Sequence, residues 1–235
     1  MNVKETLADL VRIDSVSSRA NAEVIDYAAA LVVKAGLRPR LHTYADARGV
    51  EKTQLVALSP QATDAETIEL ALVGHTDTVP FDPAWTEALT LTERDARLYG
   101  RGACDTKGFI AASLAALTRV RLDSLRRPLA LILTADEEVG CIGAKHLVET
   151  KALGSVRYAV VGEPTRLQPM RAGKGYCLAE VTVRGREGHS AYPALGASAI
   201  LRAARLVTRV EAVAEQLRED THEFFDPPHT TVNVG

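Results

Sequence analysis

The chain has 235 residues, of which 46% are hydrophobic and 25% are charged, and its formal net charge is −2. These fractions are typical of a globular protein, and the near-neutral charge gives no reason to expect nucleic acid or an anionic membrane as a partner. No apolar run approaches the ~20 residues that a bilayer-spanning helix needs, and no secretory signal is evident. The three cysteines are widely spaced, which argues against a disulfide framework and favours a reducing cytoplasm.

The first two thirds of the chain alternate between strand-like and helix-like patterns. In chain order, the sequence predicts helices over residues 3–13 and 21–35, strands over 38–44, 54–59 and 68–73, a helix over 107–120, a strand over 129–134, a helix over 141–150 and a strand over 158–161. This alternation favours an α/β fold with a mainly parallel sheet flanked by helices.

The pattern changes after Gly173. An alternating strand is predicted over residues 177–184, a loop over 185–193, an amphipathic helix over 197–217 and a further strand over 230–234. We therefore predict two domains. Residues 1–174 form an α/β domain, and residues 175–235 form the first half of an α+β domain.

Acidic side chains and a histidine follow three of the predicted buried strands. In parallel sheets, ligands bind beyond the carboxyl ends of the strands, so these side chains are expected to converge. Clustered carboxylates repel one another unless some are protonated or a cation lies among them. One imidazole with several carboxylates suits zinc, cobalt or manganese. The candidates at the strand ends are His75, Asp77, Glu137, Glu138 and Glu163, and Asp105 is expected to join them from the glycine-rich loop over residues 100–108 between the first two of these strands.

Each candidate also has a structural alternative. Asp105 precedes a helix and could be its N-cap, and the pair Glu137 and Glu138 could be a solvated strand end. The His-x-Asp step favours a metal site instead, because Asp77 can accept a hydrogen bond from the imidazole of His75 and fix its tautomer. Such residues follow three separate strands, and this coincidence favours a metal-binding or catalytic role over a structural one.

Five stretches of the sequence form a recognisable set: LVGHTDTVPF (72–81), LYGRGACDTKGF (98–109), LTADEEVG (133–140), VVGEPT (160–165) and GREGHSAYP (185–193). They resemble the co-catalytic metallohydrolase family of acetylornithine deacetylase, succinyl-diaminopimelate desuccinylase and the aminoacylases. Within that family, HTDTVPF, GEPTRLQP, RAGKG and TTVNVG are most similar to the acetylornithine deacetylase branch.

The resemblance implies a co-catalytic zinc hydrolase fold with an inserted α+β lid and dimerisation domain, here truncated. It implies two divalent metal ions, zinc or cobalt, and a cis peptide bond after Asp105. In this family pattern, His75, Asp105 and Glu163 hold one ion, with Asp105 bridging to the second ion. Glu138 belongs to the second ion, Glu137 is the general base and Asp77 orients His75.

The resemblance further implies hydrolysis of an N-acyl amino acid by metal-bound hydroxide. The favoured reaction converts N2-acetyl-L-ornithine to ornithine and acetate, a step of arginine biosynthesis in the cytoplasm. Succinyl-diaminopimelate desuccinylase, acetylcitrulline deacetylase and a related dimetal peptidase are alternatives. A non-catalytic dimerisation fragment with a vestigial site is an alternative of another class.

The second-domain candidates also come from the resemblance. His189 is expected to reach the active site of a partner subunit in a homodimer formed through the lid domain. Asn233 matches a lid asparagine that approaches the substrate. Arg171 and Lys174 are candidates for binding the substrate carboxylate, with hinge-region surface charge as the alternative.

Family members extend well beyond 235 residues and add a final histidine ligand that nothing here matches. We therefore expect this chain to be the N-terminal part of an enzyme, with an incomplete second metal site. On this expectation it is weakly active or inactive alone, and its sheet exposes apolar edges.

Overall fold

A computed structural model describes residues 1–63 and 67–235. The chain divides into two compact units, Met1–Leu167 and Gln168–Gly235. This division falls a few residues before the boundary that the sequence pattern suggests. Each unit is described separately below.

The strands of the first unit are β1 (Arg38–Ala45), β2 (Glu51–Leu58), β3 (Ile68–His75), β4 (Thr92–Arg94), β5 (Arg97–Tyr99), β6 (Leu129–Thr134) and β7 (Val156–Val161). Five of them form a central sheet in the order β1-β2-β6-β3-β7. β3 pairs in parallel with both β6 and β7, whereas β2 runs antiparallel to both β1 and β6. Of these five strands, β2 alone opposes the others, so the prediction of a mainly parallel sheet is confirmed.

Helices cover both faces of the sheet. Leu131 and Leu133 of β6 pack with the helices of one face, and Ile132 packs with Leu147 of the helix on the other face. This alternation follows from the pleat of a strand, and it explains why β6 is apolar along its whole length. The first face carries α1 (Val3–Arg12), α2 (Ala22–Lys34) and α3 (Lys107–Leu117), and the second carries α4 (Ile142–Glu149).

Local signals in the sequence set the ends of the first two helices. The side chain of Asn2 accepts a hydrogen bond from the Lys4 amide at the start of α1, which satisfies one of the free N–H groups of the first turn. Gly36 has a φ of +90° just beyond α2. A glycine in this left-handed conformation is a common helix stop, because it has no Cβ to clash.

The second unit contains a single long helix, α5 (Ala199–Leu217). Ser198 caps it by accepting a hydrogen bond from the Leu201 amide, at 3.2 Å. The strands predicted over 177–184 and 230–234 are wrong, because both segments are irregular. An alternating segment becomes a strand only where a neighbour pairs with its backbone, and neither segment has such a neighbour among the described residues.

The sequence also missed one antiparallel hairpin, in which β4 pairs with β5. Its strands are short and largely exposed, so they lack the apolar alternation that signals a strand. Across residues 1–63 and 67–235, no helix combines the length and the apolar character that crossing a bilayer requires.

Candidate metal centre

His75 is fixed at the carboxyl end of β3. Its amide donates to the Thr106 hydroxyl at 3.1 Å, and that hydroxyl lies 3.0 Å from the His75 carbonyl oxygen. The ring is almost fully buried, and its Nδ1 lies 3.0 Å from the main-chain oxygen of Asp77. With a proton on Nδ1, the ring donates a hydrogen bond to that oxygen. The Nε2 atom then faces the opposite side of the ring.

The Nε2 atom of His75 faces three carboxylates that are distant in the chain. It lies 2.9 Å from Asp105 Oδ1, 3.8 Å from Glu163 Oε1 and 3.9 Å from Glu137 Oε2. One donor atom from each of His75, Asp105 and Glu163 lies within 4.8 Å of the other two. The carboxylates are 34–44% exposed, whereas the ring is 2% exposed. The imidazole of this group is therefore buried, whereas its carboxylate oxygens are accessible to a small molecule.

Asp77 lies behind this group and is also buried. Its Oδ2 accepts hydrogen bonds from the Ser17 hydroxyl at 2.8 Å and the Glu138 amide at 3.2 Å, and its Oδ1 accepts from the Glu137 amide at 3.1 Å. Oδ1 also lies 3.5 Å from His75 Nδ1. One carboxylate thus holds the backbone of both glutamates and borders the imidazole.

The electrostatics of the site show an excess of negative charge. Burial raises the pKa of Glu138 and of Glu163, and the charge of Asp105 raises both further. Burial also raises the pKa of Asp77, but hydrogen bonds from His75, Ser17 and the Glu137 amide outweigh it and hold the pKa below its ordinary value. Burial lowers the pKa of His75, and Asp77 and Asp105 overcome that effect and raise it to about 9.

This donor set fits a divalent metal ion. A cation placed among these carboxylates relieves their mutual repulsion, and imidazole nitrogen with carboxylate oxygens is a ligand set typical of zinc. The capping alternative for Asp105 finds no support, because the N-cap residue of α3 is Thr106 and the Asp105 carboxylate bonds to His75 instead. The Asp105–Thr106 peptide bond is cis, as the family resemblance implies.

The remaining candidates lie in the second unit, and their described contacts are within that unit. His189 Nδ1 accepts a hydrogen bond from the Ala191 amide at 3.1 Å. Lys174 donates to the His229 carbonyl oxygen at 2.8 Å, and the Arg171 guanidinium lies over the ring of Phe224. These three residues and Asn233 are exposed. Their roles toward a substrate stay predictions.

Sequence reasoning missed a buried ion pair beside the site. Lys52 Nζ lies 2.9 Å from Asp136 Oδ1, and both side chains are at most 2% exposed. The Tyr44 hydroxyl donates to Asp136 Oδ2 at 2.8 Å. The position of Asp136 directly before Glu137 was an available signal for that residue. No pattern in β2 distinguishes Lys52 from a solvated lysine.

Comparisons with known proteins bear on the family and the fold. Residues 71–231 match the family model described as Peptidase family M20/M25/M40. An acetylornithine deacetylase from Myxococcus xanthus is 56% identical over 234 residues, which are 99% of this chain and 60% of that protein. The chain thus spans about three fifths of this curated relative.

Two solved structures share the fold. Human carnosine dipeptidase 1 is 26% identical, with a TM-score of 0.57 over 68% of this chain and 37% of its own. A tripeptidase from Staphylococcus aureus is 23% identical, with a TM-score of 0.61 over 88% of this chain and 55% of its own. The second likeness bears on the fold alone. The α/β architecture inferred from the sequence is confirmed.

Proposed function

The chain belongs to peptidase family M20/M25/M40, and on that premise we propose that it is the metal-binding part of an amidohydrolase that deacetylates N2-acetyl-L-ornithine. The observation that carries the proposal is the meeting of His75 Nε2 with three carboxylates, two of which follow strands β6 and β7 while the third, Asp105, lies in the loop before α3. The 56% identical acetylornithine deacetylase supports the choice of substrate. Release of ornithine would place the reaction in arginine biosynthesis, in the cytoplasm.

We assign His75, Asp105 and Glu163 as the ligands of one divalent ion, zinc or cobalt. Their donor atoms form the one such group of three among the described residues. Asp105 would bridge to a second ion, and Glu138 would belong to that ion. A bound ion supplies Lewis acidity, which lowers the pKa of water toward neutrality and polarises an amide carbonyl.

Glu137 is the residue to which we assign general base catalysis. Its carboxylate is 34% exposed and lies at the border of the group, farther from His75 Nε2 than Asp105 is. A carboxylate there can accept a proton from water and later return it to the leaving amine. Asp77 supports this role, because its carboxylate accepts a hydrogen bond from the Glu137 amide and so fixes the backbone of the base.

The second unit contributes the remaining proposed contacts. We assign residues 175–235 to the first half of a lid and dimerisation domain, with His189 and Asn233 approaching the substrate and Arg171 and Lys174 as candidates for its carboxylate. Apolar side chains of α5 support a homodimer, since Ile200 is 80% exposed and Val207, seven residues further along the same helix face, is 45% exposed. Burying such a stripe against a second copy removes it from water.

The same exposed stripe favours a second candidate, an association module without catalysis. This alternative predicts that the carboxylates around His75 have no effect on any reaction. A substitution of the assigned base therefore separates the two functions.

The test compares Glu137→Gln with Glu149→Gln in the complete gene product, because the curated relative is longer than this chain. Glu149 is an exposed glutamate on α4 whose partner is Lys145, 3.8 Å away, so it is a matched control. We expect Glu137→Gln to keep its zinc while kcat for N2-acetyl-L-ornithine falls by about 100-fold or more. Glu149→Gln should match the wild type.

Substrate choice is measured in the same assay. N-succinyl-diaminopimelate, N-acetylcitrulline and a dipeptide are offered beside N2-acetyl-L-ornithine, with zinc content measured by mass spectrometry. A higher kcat/KM for one of the other three would overturn the substrate assignment. Wild-type turnover in Glu137→Gln would overturn the mechanism.

A further inference from the structure

The loop between α1 and α2 runs along the segment that carries His75 and Asp77. The Ser15 carbonyl accepts from the Thr78 amide at 3.0 Å, and the Ser17 amide donates to the Thr78 carbonyl at 3.1 Å. Val16 and Thr78 form a parallel bridge. We call residues 13–21 the serine loop. Its backbone is thereby fixed against the chain directly after β3.

Ser17 is the serine-loop residue whose side chain reaches Asp77. Its hydroxyl is buried and lies 2.8 Å from Asp77 Oδ2, with the Thr78 carbonyl oxygen at 3.2 Å. The shorter contact has a charged acceptor, and hydrogen bonds to charged acceptors are the stronger kind. The Asp77 oxygen that accepts this bond also accepts the Glu138 amide. The hydroxyl therefore helps to fix a carboxylate that in turn fixes the glutamates.

The buried ammonium of Lys52 connects the serine loop to the segment that carries Glu137. Lys52 Nζ donates to the carbonyl oxygens of Ser17 and Arg19, each at 2.7 Å, and pairs with Asp136 at 2.9 Å. Asp136 directly precedes Glu137. The same side chain thus anchors the backbone of Ser17 and the residue next to the assigned base.

We infer that Ser17 is a positioning residue of the metal centre, which acts through the Asp77 carboxylate on the backbone of Glu137 and Glu138. The inference rests on the proposed function, since it assigns a role toward a bound ion and a base. Hydrogen-bond partners behind metal ligands change metal affinity or activity by about 10- to 100-fold when they are removed. Ser17 stands one step further back, so we expect the lower end of that range.

The test is Ser17→Ala, with Ser59→Ala as the matched control. Ser59 is also a buried serine, and its hydroxyl accepts from the Leu129 amide at 3.0 Å, at the end of β6 farther from Glu137. Both variants should lower Tm. Only Ser17→Ala should speed hydrogen exchange of the Glu137 and Glu138 amides in the metal-free protein, and only it should raise the Kd for zinc by about tenfold.

Two further variants complete the test. Ser17→Thr keeps a hydroxyl and should restore the zinc Kd and the amide protection. Ser17→Cys keeps the volume but weakens the donor, so it decides the question if Ser17→Ala does not fold. In the complete gene product, Ser17→Ala should lower kcat while KM stays within twofold of the wild type, because Ser17 is assigned no contact with the substrate.

The outcomes separate this inference from the proposed function. If the wild type binds no zinc, the proposed function fails. If the wild type binds zinc but Ser17→Ala matches Ser59→Ala in zinc Kd and in exchange of the two amides, the role of Ser17 is refuted while the function stands.

Discussion

The ring of His75 is buried between carboxylates, and this setting decides which protons it carries. Asp77 and Asp105 outweigh burial and raise the pKa of the ring to about 9. The metal-free imidazole is therefore protonated on both nitrogens at neutral pH. A metal ligand must offer a free lone pair, so a metal ion and a proton compete for Nε2.

This competition predicts a pH-dependent affinity for zinc. At pH 7.5, binding should release about one proton from His75, and the release should vanish well above pH 9. Below pH 9 the zinc Kd should rise by about tenfold for each unit that the pH falls. Calorimetry in two buffers with different ionisation enthalpies counts the protons. Equal heats in both buffers at pH 7.5 would contradict the prediction.

The buried pair of Lys52 and Asp136 makes a prediction about stability. Lys52→Met removes the ammonium and leaves the Asp136 carboxylate buried without its counter-charge, which costs about 3–5 kcal/mol. Lys145→Met, in an exposed pair with Glu149, should cost less than about 0.5 kcal/mol. Urea denaturation of both variants measures the difference. Equal midpoints would show that the buried pair contributes no more than the exposed pair.

At the scale of elements, Gly162 sets how closely β7 approaches α3. A Cβ at this position would lie 2.1 Å from Cγ and 2.7 Å from Cβ of Phe109. The contact reaches the base of the phenyl side chain, so rotation of the ring alone cannot relieve it. Either α3 or the end of β7 has to move, and Glu163 follows directly after that end.

Gly162→Ala should therefore lower the free energy of unfolding by about 1–3 kcal/mol and weaken zinc binding. Gly173→Ala is the control, because nothing lies within 4 Å of its added Cβ. Its stability should stay within about 0.5 kcal/mol of the wild type. Thermal unfolding and zinc titration test both variants. A Gly162→Ala protein with wild-type affinity for zinc would show that β7 can shift without moving Glu163.

Apolar periodicity was sufficient to predict the core elements of the first unit, although it missed the exposed hairpin of β4 and β5. The core strands and the helices that cover them were found within a few residues, because burial on one or both faces leaves a pattern in the sequence. The segment over 177–184 has the same alternation but no partner strand among the described residues. Pairing is a property of the fold, so alternation by itself overpredicted a strand.

The site was predictable where chemistry and position coincide. His75, Glu137 and Glu163 stand at strand ends, and the order of strands in a parallel sheet brings such ends together. Ser17 and Lys52 bond to groups that are far away in the sequence. No local pattern marks such a contact, so only the three-dimensional structure finds it.

For the whole molecule, the described donors predict the number of tightly held ions. His75, Asp105 and Glu163 make one group of three, and Glu138 lies outside that group. We expect one zinc ion per 235-residue chain after dialysis and none in His75→Ala. Elemental mass spectrometry gives the ratio. Two retained ions in the 235-residue chain would show that the second site is already complete.

The strand order also bears on when the centre can assemble during translation. β3 stands between β6 and β7 in the sheet, although both of those strands are synthesised later. The three proposed ligands span residues 75 to 163, and the last of them is carried in by β7. A ribosome-bound chain that stops short of Glu163 holds at most two of these donors. Metal capture would then report that β7 has paired with β3.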